Sequence, residues 1–111
     1  MVPLRFKPLF WIEILRRRVE QAGAYLMVLQ KGDPDGGSVT LIVENGSGTS
    51  VLYTAQTQMD GSRSWHAEAD LSVDDLGKRI KSLKRMDEDL WVIEITDRQG
   101  RHFLNEPVIT S

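Results

Sequence analysis

The chemistry open to this chain is narrowed first by what it lacks. Its 111 residues include no cysteine, which removes thiol nucleophiles, disulfide frameworks and thiolate metal sites. Carboxylates, two histidines and clustered cations remain. Asp33 and Asp35 flank Pro34 in the run Gly32-Asp33-Pro34-Asp35-Gly36-Gly37, and paired carboxylates on a flexible turn suit a hard divalent cation. A calcium loop counted from Asp33 reaches Glu44 at its twelfth position, but Ser38 stands at the sixth, where glycine is required. A hairpin turn is the better reading. The order helix, strands, helix, strand also resembles the core of metal-dependent nucleases that carry a Pro-Asp and a Glu-x-Lys motif, and Pro34-Asp35 stands before the second strand, where such a motif could sit. The next strand, residues 51–58, offers neither acid nor lysine to complete such a site, and Glu44 and Lys31 could replace them only by migration.

His66, Glu68 and Asp70 alternate along one segment and so share a strand face, where a third ligand such as His102 would be needed to hold a transition metal. Nothing in the sequence brings His102 near, and a polar face opposite Trp65, Ala67 and Ala69 accounts for the alternation. No serine lies in a nucleophile-elbow pattern, and no glycine-rich loop opens a helix to cradle phosphate. Glu94, between Ile93 and Ile95, is the one carboxylate set in a strongly apolar strand, so it requires a partner or a functional reason. Arg18, which a helical wheel places at the edge of an apolar arc, is the expected partner, forming a structural Arg18–Glu94 pair. Asp33, Asp35 and Glu94 are the weak metal candidates.

The cations are segregated. Residues 1–32 carry a net charge of +4 and residues 76–86 of +5, whereas residues 33–75 carry −7 and residues 87–111 carry −4. Arg16, Arg17, Lys78, Lys81 and Arg85 are therefore the candidate binding residues, directed at an acidic protein or nucleic acid. No aromatic residue interleaves the cations of 78–85 to stack bases.

The elements that must position these groups are clear in outline. Residues 8–22 read as a helix, with Pro8 in its first turn, Gly23 at its stop, and Trp11, Ile12, Leu15, Val19 and Ala22 on one face. Strands are expected at 24–31, 38–44, 50–58 and 64–70, separated by turn-forming runs, and antiparallel meandering is the simplest topology for them. Ser72 caps a second helix to about Arg85, with Val73, Leu76, Ile80 and Leu83 on one face; Gly77 weakens it. Residues 90–96 form the most convincing strand, and the tail from Arg101 ends the chain or adds an edge strand. The expectation is an α+β fold of order α-β-β-β-β-α-β, a single domain over 1–111. Two helices pack on one face of a mainly antiparallel sheet of about five strands. The first and last strands are apolar on both sides, which calls for the tail or a second copy to cover the outer face.

Arg16-Arg17, the Gly32–Gly37 run and Asp87-Glu88-Asp89-Leu90-Trp91-Val92-Ile93-Glu94-Ile95 together resemble a family of small alphaproteobacterial proteins known only as a domain of unknown function. The resemblance spans nearly the whole chain and implies a bacterial, single-domain, stand-alone protein. It carries over no activity, substrate or catalytic residue. Arg5 and Lys7 ahead of Leu9-Phe10-Trp11-Ile12 mimic a signal peptide, but Glu13 and Arg16-Arg17-Arg18 interrupt it and no cleavage site follows. A cytoplasmic protein without membrane association or cofactor is expected, most simply a non-enzymatic binding or accessory module and possible homodimer. The alternative is a divalent-metal-dependent nuclease or phosphodiesterase.

Overall fold

The computed structural model describes residues 7–110; Arg5 of the apparent signal segment lies outside them. The first helix, α1 (Pro8–Gln21), begins with Pro8, whose missing N–H costs nothing in a first turn, and ends before Gly23 at φ 85°. Trp11, Ile12, Leu15 and Val19 are buried on its inner face, each worth roughly 1.5–3 kcal/mol of transfer free energy. Six strands follow: β1 (Tyr25–Gln30), β2 (Val39–Glu44), β3 (Ser50–Thr57), β4 (Arg63–Leu71), β5 (Trp91–Thr96) and β6 (Val108–Thr110). The second helix, α2 (Val73–Met86), lies between β4 and β5.

The sheet order is β1-β5-β2-β3-β4-β6. Strands β2, β3 and β4 form the expected antiparallel meander, but β1 does not join it. Because α2 carries the chain back across the sheet, β5 enters parallel to β2 and separates β2 from β1, which pairs antiparallel with β5. The tail adds β6 parallel to β4. The fold is thus α+β as expected, with a mixed six-stranded sheet in place of a mainly antiparallel five-stranded one.

Helix placement is the larger correction. Leu41, Val43, Tyr53, Trp65, Trp91, Ile93 and Ile95 share one apolar cluster with the buried residues of α1. Their strand neighbours Ile42, Leu52 and Val92, with Leu90, form a second cluster against Leu76, Ile80 and Leu83 of α2. Successive strand residues point to opposite faces, so the helices cover opposite faces rather than one. The α1 face is closed further by the tail, whose Phe103 and Leu104 join its core. This is why strands apolar on both sides occur: β2 is buried from Val39 to Val43.

Ser72 caps α2 as expected, its hydroxyl accepting from the Asp75 amide at 3.1 Å. No residue of α2 is fully buried. The helix rests on the sheet through half-buried apolar groups and an Arg79–Glu68 ion pair at 2.8 Å. At the end of β4 a register slip beside Ser50–Leu52 and a left-handed Asp70 (φ 59°) turn the chain toward that cap.

Candidate functional site

The turn between β1 and β2 is fastened to the segment that precedes β5. Trp91 Nε1 donates to the Asp33 carbonyl at 2.7 Å, Asp33 N donates to the Asp89 carbonyl at 3.2 Å, and Ser38 N donates to Asp87 Oδ2 at 2.9 Å. The Ser38 amide holds the Asp87 carboxyl below its ordinary range. A Cβ on Gly32 or Gly37 would lie 2.0 or 1.9 Å from the Asp89 carbonyl oxygen, so this contact demands glycine on steric grounds. The two runs most distinctive in the sequence are therefore the two halves of one clamp. Sequence reading took them separately; the glycine pair at 32 and 37 was the available signal.

Within the turn, Asp33 Oδ1 accepts from the Asp35 amide at 3.0 Å, and Asp35 pairs with Lys7 at 3.1 Å. Asp33 caps its own turn, but Asp35 pairs with Lys7 in place of its own backbone, and the turn closes no hairpin, because β5 lies between β1 and β2. Beside the turn lies a cavity of about 360 Å³, floored by Pro8, Trp11, Val39 and Ala55 and edged by Thr57 and Arg63. Behind it Trp11 stacks on Trp65 at 5.6 Å, and Trp65 Nε1 donates to Glu106, a buried carboxylate that the sequence did not single out.

Arg18 and Glu94 do not meet. Glu94 follows Val92 on the α2 face of β5, whereas α1 lies on the other face. The Arg18 guanidinium donates instead to the Phe103 carbonyl of the crossing tail. Burial and the nearby Glu44 carboxylate push the Glu94 carboxyl above its ordinary range. Glu44 itself accepts from the Gly46 amide in the β2–β3 turn.

Among the described residues, no three His, Asp or Glu side chains converge as a metal site. Asp33 and Asp35 belong to the β1–β2 turn, and Glu94 lies on the α2 face of the sheet. Glu68 is engaged by Arg79, and Asp70 lies at the bulge. His102 packs edge-on to Tyr53 at 5.3 Å, and its Nδ1 accepts from the Leu104 amide at 2.9 Å, an arrangement for neutral imidazole. Burial lowers its pKa to the same effect.

The five candidate cations fall on two surfaces. Arg16 and Arg17 belong to α1; Arg16 donates to the Leu26 carbonyl at 3.0 Å and lies near Glu13, while Arg17 is exposed. Lys78, Lys81 and Arg85 lie on α2, all exposed and within about 60° of one another on a helical wheel. No ion pair among the described residues engages them.

A family model described as "Protein of unknown function (DUF1491)" matches residues 6–105. A crystal structure of a DUF1491 family protein from Caulobacter crescentus CB15 is 38% identical, with a TM-score of 0.84, covering 94% of this chain and 99% of that one. An NMR structure of a DUF1491 family protein from the same organism is 38% identical, with a TM-score of 0.81 and coverage of 96% and 98%. A solution structure of a protein from A. tumefaciens shares the fold at 24% identity and a TM-score of 0.78, covering 93% and 95%. No curated protein matches the chain.

Proposed function

This chain belongs to the DUF1491 family, proteins of unknown function, so its role must be read from its own surface, and we propose a non-enzymatic binding module that docks an acidic protein partner through α2. The observation that carries this reading is the row Lys78, Lys81 and Arg85, exposed on one side of a helix that buries no residue fully. Lys84, also exposed, widens the row toward the C-terminal turn, where cations complement the helix dipole. With no ion pair to these side chains among the described residues, a carboxylate-bearing partner gains their field without first breaking one. An acidic protein is favoured over nucleic acid because the row is short, has Asp74 on its own side, and lacks aromatic stacking platforms.

The reading is narrower than the sequence suggested. With α1 on the opposite face, Arg16 and Arg17 cannot reach the same partner surface, and Arg16 serves the Leu26 carbonyl. The divalent-metal nuclease alternative requires acids on one centre, and among the described residues no three acids or histidines converge.

Fluorescence anisotropy with a labelled polyglutamate peptide, and with duplex DNA as competitor, tests the proposal. Binding should weaken steeply with added salt and disappear in the Lys78→Glu/Lys81→Glu/Arg85→Glu variant. Retention of binding by that variant, or stronger binding of DNA than of polyglutamate, would overturn it.

A further inference from the structure

We propose that the cavity beside the Gly32–Gly37 turn is a binding site for a small organic monocarboxylate, held by Arg63. The site lies on the α1 side of the sheet, away from the cationic row of α2, and does not depend on the docking reading. Arg63 stands opposite Thr57 in the β3–β4 ladder, and Trp65 stands opposite Ala55. Trp65 belongs to the core under α1, so Arg63, two residues earlier in β4, projects to that same face. Along β3 the residues of this face shrink from Tyr53 to Ala55 and Thr57, and the turn contributes Gly36 and Gly37. Small side chains therefore leave the space of about 360 Å³ open. That volume stands at the small end of the roughly 300–1,000 Å³ of ligand pockets, which sets the occupant at metabolite size.

The lining gives the occupant its charge. Among the described residues Arg63 is the one basic group of the cavity, and it is part-buried. Neither its guanidinium nor the Thr57 hydroxyl has a hydrogen-bond or ion-pair partner among those residues. A guanidinium drawn partly out of water without a counter-charge is costly, and its planar fork matches a carboxylate through two parallel hydrogen bonds. The first turn of α1 adds to the positive field, since Pro8 opens the helix at the cavity and no acid stands in that turn. The field suits a single negative charge. Asp35 also lines the cavity, with its carboxylate on Lys7 at 3.1 Å, so a phosphate dianion would face one guanidinium and a nearby acid. Trp11, Val39 and Ala55 receive the apolar body. The wall formed by the turn is fixed in advance by the bonds of Asp33 to Trp91 and of Ser38 to Asp87, which lowers the ordering cost of binding. The clamp thereby gains a role beyond joining two strands.

A ¹H–¹⁵N titration with benzoate and with butyrate, each to tens of millimolar, tests the proposal. Benzamide serves as the uncharged counterpart and inorganic phosphate as the more highly charged anion. Saturable shifts are expected at the Gly36–Val39 amides and at the Arg63 Nε–H, with benzamide and phosphate roughly tenfold weaker or more. Arg63→Gln should weaken benzoate binding by a similar factor, whereas Lys78→Glu/Lys81→Glu/Arg85→Glu should leave it unchanged. Shifts that saturate with neither carboxylate would overturn the proposal. So would benzamide binding as tightly as benzoate, phosphate binding more tightly, or benzoate binding that survives Arg63→Gln. The benzamide comparison uses the unsubstituted protein, so it decides the matter even if Arg63→Gln fails to fold. Polyglutamate binding by Arg63→Gln is expected to persist, because the flanking carboxylates of a polymer would fall on Asp35 if one side chain entered the cavity. The two proposals therefore fail separately.

Discussion

Replacing Gly37 with alanine tests the clamp between the Gly32–Gly37 turn and the approach to β5. The added Cβ would lie 1.9 Å from the Asp89 carbonyl oxygen and 3.1 Å from Trp91 Cδ1, and the first obstacle is backbone rather than a flexible side chain. Relief requires the two segments to separate. Overpacking of this kind costs about 1–3 kcal/mol. Separation also strains the Trp91–Asp33, Asp33–Asp89 and Ser38–Asp87 hydrogen bonds, each worth about 1 kcal/mol net. Gly37→Ala should therefore lose about 3–5 kcal/mol, a large share of the roughly 5–15 kcal/mol typical of a domain. Gly36 supplies the control. Its nearest neighbour to an added Cβ is Asp33 Oδ2 at 3.8 Å, and its φ lies outside the left-handed region. Gly36→Ala should be neutral or gain a few tenths of a kcal/mol from reduced unfolded-state entropy. Urea denaturation of the three proteins, followed by tryptophan fluorescence, measures the differences. Equal midpoints for Gly37→Ala and Gly36→Ala would refute the clamp.

Glu94→Gln should raise the urea midpoint at pH 7 and flatten its pH dependence. The folded carboxyl titrates above its unfolded value, so its favourable contribution is present at low pH and lost as pH rises through the folded value. Arg18→Met and Glu94→Gln should be additive in a double-mutant cycle, since the two groups lie on opposite faces; a coupling above about 1 kcal/mol would contradict the topology. Asp97, held by Arg101, titrates at about 2 against an ordinary 3.8, so its contribution is present above that ordinary value and fades as pH falls toward 2. Asp97→Asn should lower stability at neutral pH and remove that part of the acid transition, read by urea melts between pH 2 and pH 5.

Local structure was legible because it is written in local chemistry. Pro8 and Gly23 bound α1, Ser72 caps α2, and the turn runs at 32–37, 45–48 and 60–61 separate strands that match expectation to within about a residue. Sheet order was not legible. The strand 25–30 is apolar on both sides, which called for a cover over its outer face, yet it forms an edge whose outer row is open. Parallel entry of β5 beside β2 depends on how α2 crosses the sheet, a long-range choice that no single segment encodes. Both helices show apolar stripes, but a stripe does not state which face of the sheet it covers, and that ambiguity produced the expected Arg18–Glu94 pair. The Phe103 carbonyl that Arg18 meets is backbone from a tail with no strong pattern of its own. Lys78, Lys81 and Arg85 were legible as one helical face; their separation from Arg16 and Arg17 follows only from the three-layer arrangement.

The docking claim is tested most directly by a ¹H–¹⁵N titration of the protein with polyglutamate at low salt. Amide shifts should concentrate on residues 78–85, grow with added peptide, and collapse as ionic strength brings the screening length to about 8 Å. Shifts centred on Asp35–Val39 and Arg63 would place binding in the cavity beside the turn instead, and a spectrum that does not respond would contradict the account.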